Sequence, residues 1–355
     1  MKKILLLIIT FLSVSFACDH PLKVYAAYDP TKVGEVAMVS AVTNQIMKAQ
    51  PTAQIDNRPN AKFSDLDLTE QSVIVTVGQF GINLLQSQII PAHVKVLLCT
   101  HQWFGAMNEL RDIYITMPEH AINEIIQNIA IVNNLTLIPT QGVLHTMSKE
   151  ALAAEDTSTI SLHDAKVGVI LGGDAETPEG GWKNFTADNA RDLADQLVNF
   201  QKQTGWKILI TNGPRTGRSP TAHRAGESDE ISEGFLNALQ QAGLRQGEDF
   251  EFFDFQFAQP GQPSLSALKA IVKTVLGNKG FMIVPGESTS SISEIRTVMP
   301  IAIYTNSAMN ETHQEFVDQL VQSNLATLWP IAPEAEELYI LPPRQEIAVV
   351  EKFLS

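Results

Sequence analysis

One pattern limits this chain more than any other: short apolar runs end in a Gly, Pro or small-residue turn and pass straight into helical spacing. The clearest case is Phe281–Met299. Phe281-Met282-Ile283-Val284 reads as a buried strand, Pro285-Gly286 breaks it, and Glu287-Ser288-Thr289-Ser290-Ser291 follows. Ile292, Ile295, Val298 and Met299 then recur at helical spacing,. The helix therefore starts among hydroxyls and free backbone N–H groups. Such an end suits a phosphate, because the N–H groups point outward and the helix dipole favours negative charge. It reads equally as an ordinary N-cap, since Ser and Thr are the commonest caps. Glu294 stands where a carboxylate can take sugar hydroxyls.

The same alternation runs through the chain. In the first half, strands are predicted at Leu22–Tyr28, Ser72–Val77, Val94–Thr100, Ile113–Met117 and Leu135–Ile138, with helices at Val36–Met47 and Ile82–Gln88. A polar stretch, Lys149–Asp164, reads as a link. The pattern then restarts, with strands at Lys166–Leu171, Lys207–Thr211 and Phe250–Phe255. Helices are predicted at Thr186–Thr204, Ile231–Ala242, Ser264–Leu276, Thr312–Ser323 and, closing the chain, Pro343–Phe353. Alternating strands and helices imply parallel sheets with ligand crevices at the strand C-terminal ends. Two α/β halves joined by a link enclose a cleft, a favoured ligand position. The expected units are residues 1–18 as a leader, 19–160, 161–332, and a tail or helix over 333–355.

The 25 basic and 39 acidic residues give a formal net charge of −14. That argues against nucleic acid as a partner, since phosphate backbones attract clustered Lys and Arg. Lys2-Lys3, the apolar run Ile4–Phe16 and the small residues Ser15 and Ala17 describe a secretory signal, too short for a comfortable membrane span,. Cys18 adds a lipoprotein reading, with membrane association through the N-terminus. The chain is therefore expected to be exported. The other cysteine, Cys99, sits in an apolar run and reads as a buried strand thiol,. No His-x-x-x-His, Cys-x-x-Cys or Gly-x-Ser-x-Gly pattern is present, so neither a metal nor a nucleophile elbow is expected,.

Three strand ends of the second half carry polar small-residue loops: Gly172-Gly173-Asp174, Thr211-Asn212-Gly213-Pro214-Arg215-Thr216, and Gly286–Ser291. In a parallel sheet they open on one edge. Arg215 and Arg218 can grip a phosphate bidentately. Taken singly, each loop reads more simply as a Gly-containing turn. Trp182 suits stacking on a base or covering a core edge. The acidic run 225–230 reads as a solvated connection. In the first half, His145 follows a strand and can serve as a general base, as can Glu119 and His120 after Ile113–Met117; His101 is a third candidate,. A lone His is more often structural.

Together these pieces resemble the bacterial and plant mitochondrial-fission (elongated mitochondria) family, whose members look like GT-B glycosyltransferases. The resemblance is carried by Asp112–His120, Pro139-Thr140-Gln141-Gly142-Val143-Leu144-His145, Gly172-Gly173, Leu209-Ile210-Thr211 with Arg215-Thr216, and Gly286–Glu294. It implies two Rossmann-like domains facing a central cleft. By GT-B analogy the C-terminal domain binds a nucleotide-sugar, with Ser288, Thr289, Ser290 and Ser291 at phosphate and Glu294 at hydroxyls, and the N-terminal domain takes the acceptor. The nucleotide-sugar is then a substrate, and no cofactor is implied. Where the family has a basic Ser-Arg-Arg-Thr-like loop this chain has Asn212–Thr216, and Glu287 stands close to the phosphate position. Export also removes the enzyme from cytoplasmic nucleotide-sugars. Two functions follow: a metal-independent glycosyltransferase, or an exported, non-catalytic binder of a small anionic or sugar ligand. A membrane-remodelling or protein-interaction role is a third reading, and the oligomeric state stays open.

Overall fold

The computed structural model describes residues 21–30, 32–69, 71–177, 181–217, 229–257, 265–331 and 345–355. The leader, Cys18, Arg218 and most of the acidic run 225–230 lie outside the described residues. The first unit runs β1 (Lys23–Tyr28), α1 (Val33–Ala49), β2 (Gln54–Pro59), β3 (Ser72–Val77), α2 (Gly78–Gln86), β4 (Lys95–Cys99), β5 (Tyr114–Pro118), α3 (Glu124–Val132) and β6 (Thr136–Thr140). A short α4 (Lys149–Ala153) leads to the second unit: β7 (Val167–Ile170), a hairpin of β8 (Ala175–Glu176) and β9 (Trp182–Lys183), α5 (Ala187–Thr204), β10 (Ile208–Thr211) and α6 (Glu230–Gln241). It continues with β11 (Phe250–Phe253), α7 (Leu268–Gly277), β12 (Phe281–Pro285), α8 (Thr289–Arg296), β13 (Ile301–Tyr304), α9 (Glu311–Gln322) and β14 (Thr327–Leu328), and the chain closes with α10 (Gln345–Leu354).

Each unit holds a six-stranded, all-parallel sheet, in the orders β2-β1-β3-β4-β5-β6 and β11-β10-β7-β12-β13-β14. Central parallel strands are covered on both faces, which is why β3 is buried along its whole length and reads as an unbroken apolar run,. Side-chain alternation divides the core of each unit into two layers. In the first, Val24, Val73, Val75 and Leu97 pack towards α1, while Tyr25, Ile74 and Leu98 pack towards α2. In the second, Met282, Val284 and Ile301 meet α7 and α9, and Val167, Ile208 and Ile283 meet α5 and α6.

Several features depart from the sequence expectation. The link is not a bare connection. Ser148 caps α4 by accepting from the Ala151 N–H, and Met147, Leu152, Ile160 and Leu162 enter the core of the second unit. Packing of that unit therefore begins before residue 161. The C-terminal helix crosses back to the first unit, where Val349, Val350 and Phe353 fill the layer beside α1. Lys352 Nζ donates to the Leu137 carbonyl at 3.0 Å. The predicted helices also shift at their ends: α7 begins at Leu268 rather than Ser264, and α2 spans Gly78–Gln86 rather than Ile82–Gln88. β2, α3, β13 and β14 escape the apolar-run reading. β2 is a polar, largely exposed edge strand, and β13 and β14 are four and two residues long.

Sheet order reverses between β1 and β3 in the first unit, and between β7 and β12 in the second. Such switch points open a crevice beyond the strand C-terminal ends, because the two connections leave towards opposite faces.

Candidate functional site

The second switch point is built from the segment that dominates the sequence. The Ser288 N–H donates to Pro285 O at 3.0 Å and the Ile292 N–H to Ser288 O at 2.9 Å, which closes the first turn of α8. Ser288 makes no side-chain cap; its hydroxyl donates to Ser291 Oγ at 2.8 Å. The backbone N–H groups of Thr289, Ser290 and Ser291 thus have no partner among the described residues. Gly286 packs against Met309, whose Sδ lies 2.4 Å from the place a Cβ would take, so a side chain there would displace the Met309 thioether. Across the cleft, Ser290 Oγ lies 3.7 Å from the place a Cβ on Gly34 would take. The N-termini of α8 and α1 therefore face each other, and both dipoles present positive ends to the space between. Lys32 and Glu35 pair there at 3.3 Å, beneath Gly78, whose φ of 55° suits glycine,.

The three loops expected to share an edge do so, for β10, β7 and β12 are adjacent and parallel. Their side chains divide into two groups. Thr211, Asn212 and Thr216 are buried and turned into the domain. Thr211 Oγ1 donates to Phe253 O at 2.9 Å; Asn212 Nδ2 donates to Asp229, Ser232 and Asp254; Thr216 Oγ1 accepts the Gly213 N–H at 3.1 Å. The polar atoms of these three side chains hold the loop. Arg215 stays exposed, with NH1 3.4 Å from Asp174 O. Gly172 packs against the Phe185 ring, and the Gly173 N–H is taken by Glu287 Oε1 at 2.8 Å. Glu287 Oε2 accepts from Asn306 Nδ2 at 2.6 Å. The acid that looked hostile to a phosphate is thus a strut between the ends of β7 and β13. Burial raises its pKa, while Asn306, the Gly173 N–H and Arg215 counter that.

On the facing wall the end of β5 carries Glu119, exposed, and His120, whose ring stacks on Phe316 of α9 with centroids 4.5 Å apart. His313, in the first turn of α9, accepts the Asn310 N–H on Nδ1 at 3.2 Å, so its neutral form carries the proton on Nε2,. His101, after β4, is exposed and lies within electrostatic reach of Lys32 in its own domain and of Arg215 and His313 in the other. Desolvation pushes His101, His120 and His313 down to about 4. Arg215 presses further on His101 and His313, Lys32 on His101, and Lys183 on His313. Three neutral imidazoles and three cations therefore share the cleft at neutral pH. Among the described residues no three His, Cys, Asp or Glu side chains are grouped to hold a metal ion.

His145 stands elsewhere. It lines a cavity of about 190 Å³ at the hinge, together with Ser148, Lys149, Ser293, Arg296 and Glu346. The expected trio of His145, Glu119 and His120 is therefore divided between two places. Glu294, half-buried on α8, has its carboxyl raised to about 7 by burial, with Lys269 partly offsetting. Trp182 lies in the β8–β9 hairpin and is 38% exposed, not packed over a core. Cys99 is fully buried and its thiol is pushed up to about 12, as expected of a strand thiol. Sequence reasoning missed His313, Lys183 and Lys32. The Asn310-x-x-His313 capping box marks the start of α9, but nothing local says that this turn meets His120.

Two Rossmann-like domains with opposed switch points across a central cleft define a GT-B-like protein, the class of the glycosyltransferases built this way. More narrowly, a family model described as Mitochondrial fission ELM1 matches residues 106–232. The chain resembles that family over a stretch holding Asp112–His120, Pro139–His145, Gly172-Gly173 and Arg215; the Gly286–Glu294 segment lies beyond it. Among solved structures, MurG of Acinetobacter baumannii is similar at 9% identity, covering 94% of this chain and 91% of that one, with a TM-score of 0.40. A UGT transferase of Siraitia grosvenorii in complex with UDP is similar at 10% identity, covering 94% and 91%, with a TM-score of 0.45. The E. coli heptosyltransferase WaaC with ADP-2-deoxy-2-fluoro heptose is similar at 11% identity, covering 94% and 98%, with a TM-score of 0.33. Comparison with curated proteins finds no match. Among the described residues no helix is long and apolar enough to cross a membrane.

Proposed function

We propose that the protein is a metal-independent glycosyltransferase whose C-terminal domain holds a phosphate-activated sugar donor and whose N-terminal domain presents the acceptor. The observation that carries this reading is the open N-terminus of α8 at a switch point, with three unpartnered N–H groups and Arg215 on the adjacent loop. In the reaction the acceptor oxygen bonds to the anomeric carbon while the bond from that carbon to the leaving phosphate oxygen breaks. The electron pair goes to the phosphate, where the α8 N–H groups and Arg215 meet the growing charge. The acceptor hydroxyl gives its proton to His120 or to Glu119 at the end of β5. An imidazole held near 4 is a weak base, but a bound diphosphate opposes the cations that depress it and lifts it towards neutrality. Glu294 takes donor hydroxyls. Export through Lys2–Cys18 belongs to the same proposal, and it favours a lipid-linked donor over a soluble nucleotide-sugar.

The test is a thermal-shift screen of the full chain against nucleoside diphosphates, their sugar conjugates and short-chain lipid-diphosphate sugars. A ligand that binds only the folded state raises Tm by mass action. A selective rise that Arg215→Gln weakens, followed by diphosphate release with an acceptor, supports the reading. Binding without turnover leaves the non-catalytic binder, and no shift with any of them refutes a donor site at α8.

A further inference from the structure

The proposed donor site does not use one buried charge on the same helix. Arg296, in the last turn of α8, is 3% exposed, yet Nε and NH1 have no acceptor among the described residues. Only NH2 is engaged, donating to Gln141 O at 3.1 Å across the domain boundary. A buried guanidinium with unpaired donors is costly, and a structure that keeps one commonly supplies an anion. This guanidinium forms part of the wall of the hinge cavity, about 190 Å³ in volume. That is below the range of pockets that enclose drug-sized ligands, so a nucleotide-sugar is too large for it. Lys149, exposed at the same cavity, adds a second cation, and Ser148 adds a hydroxyl. The two acids of the lining, Glu150 and Glu346, each have partners of their own.

We infer that the hinge cavity is a binding site for a small oxyanion, a phosphate or a short carboxylate, recognised by the fork of Arg296 and separate from the cleft. Guanidinium nitrogens match a planar or tetrahedral oxyanion two at a time, which an ammonium cannot do. The walls come from both domains, Gly142, Val143, His145 and Ser148 on one side and Ser293 and Arg296 on the other. Ser293, one turn before Arg296, accepts the Val143 N–H at 2.9 Å. An occupied cavity therefore ties the C-terminal end of α8 to the first domain, while the N-terminal end of the same helix faces the donor.

The experiment follows Tm of the full chain with inorganic phosphate and, separately, malonate, for wild type, Arg296→Met and Arg215→Gln. The expected result is a rise in wild type and in Arg215→Gln that disappears in Arg296→Met, whose Tm in anion-free buffer equals or exceeds that of wild type. Affinity for the effective anion falls at least about tenfold in Arg296→Met. If Arg296→Met does not fold, Lys149→Glu decides, because its exposed side chain can be reversed without disturbing the core; it must weaken the anion response. Equal rises in all variants reveal general salt exclusion and overturn the inference. Loss confined to Arg215→Gln assigns the anion to the cleft and also overturns it, as does the absence of any rise in wild type. The nucleotide response of Arg296→Met is read alongside, so failure of the cavity and failure of the donor site are told apart.

Discussion

Glu294 shows how far a single residue could be understood before the fold was in view. Its place one turn into the helix after Gly286–Ser291 was legible, but its proton affinity was not. Burial raises the carboxyl to about 7 from an ordinary 4.5. Above pH 7 the folded protein holds an ionised group that its surroundings disfavour, whereas below about 4.5 the group is neutral in both folded and unfolded chains. Glu294→Gln is therefore expected to be more stable than wild type at about pH 8, by on the order of 1–3 kcal/mol, with the gain vanishing by about pH 4. Urea unfolding at the two pH values checks this; a pH-independent difference would remove the burial argument. The cleft histidines have the opposite sign, since their folded values lie near 4, below the ordinary 6.5. A bound diphosphate raises them, so binding takes up protons. Nucleoside-diphosphate affinity should rise as pH falls from about 7 to about 5, more steeply in wild type than in His101→Asn. Calorimetric titrations giving parallel pH profiles for the two proteins would contradict the placement of His101.

At the scale of elements, α8 is the piece on which the two domains agree. Its spacing of Ile292, Ile295, Val298 and Met299 seats one face in the core of the second unit. Its other face carries Ser290, opposite Gly34, and Ser293, which accepts the Val143 N–H and donates to Thr289 O at 2.7 Å. Periodicity made the buried face legible in the sequence. The partners of the polar face were not, because Gly34 and Val143 belong to another domain. Ser293→Ala leaves a buried N–H without an acceptor and should cost about 1–3 kcal/mol. Ser291→Ala, which removes only the partly exposed hydroxyl pair with Ser288, should stay within about 0.5 kcal/mol of wild type,. Denaturant midpoints of the two variants separate these roles; equal midpoints would deny Ser293 its place at the domain boundary.

For the whole molecule, the decisive feature is the return of α10 to the first domain. A reading by sequence order sets residues 333–355 apart as a tail or closing helix after the second unit. Burial places Val349, Val350 and Phe353 against α1, with the Phe353 ring 5.3 Å from that of Tyr114. The two domains are thus joined twice, through the α4 link and through α10, with the hinge cavity between these connections and α8. Phe353→Ala should destabilise the first domain by about 3–5 kcal/mol, the usual cost of emptying a buried aromatic site. Hydrogen exchange should then show lost protection in α1 and β3 before α5 and α6. Uniform loss across both domains would mean that the two sheets unfold as one unit.

Much of the architecture is local, and the sequence alone determined it. Buried parallel strands must be unbroken apolar runs, amphipathic helices must repeat near every 3.6 residues, and Gly and Pro must mark the turns between them. Hence β1, β3, β7, β10 and β12, the helices that follow them and the two-unit organisation could all be read from the chain. Polar or very short elements such as β2 and β14 lack that pattern and could not. The allocation of polar side chains was decided by tertiary structure only. Thr211, Asn212 and Thr216 have the composition of a phosphate loop, but Thr211 meets Phe253 42 residues away and Asn212 meets Asp229, Ser232 and Asp254 at separations of 17, 20 and 42 residues, which draw them inward, while Thr216 binds the nearby Gly213 N–H. Glu287, His313 and Arg296 gained their roles in the same way. A hydrogen bond or a burial cost depends on which distant atoms arrive, and no local period in the sequence encodes that arrival.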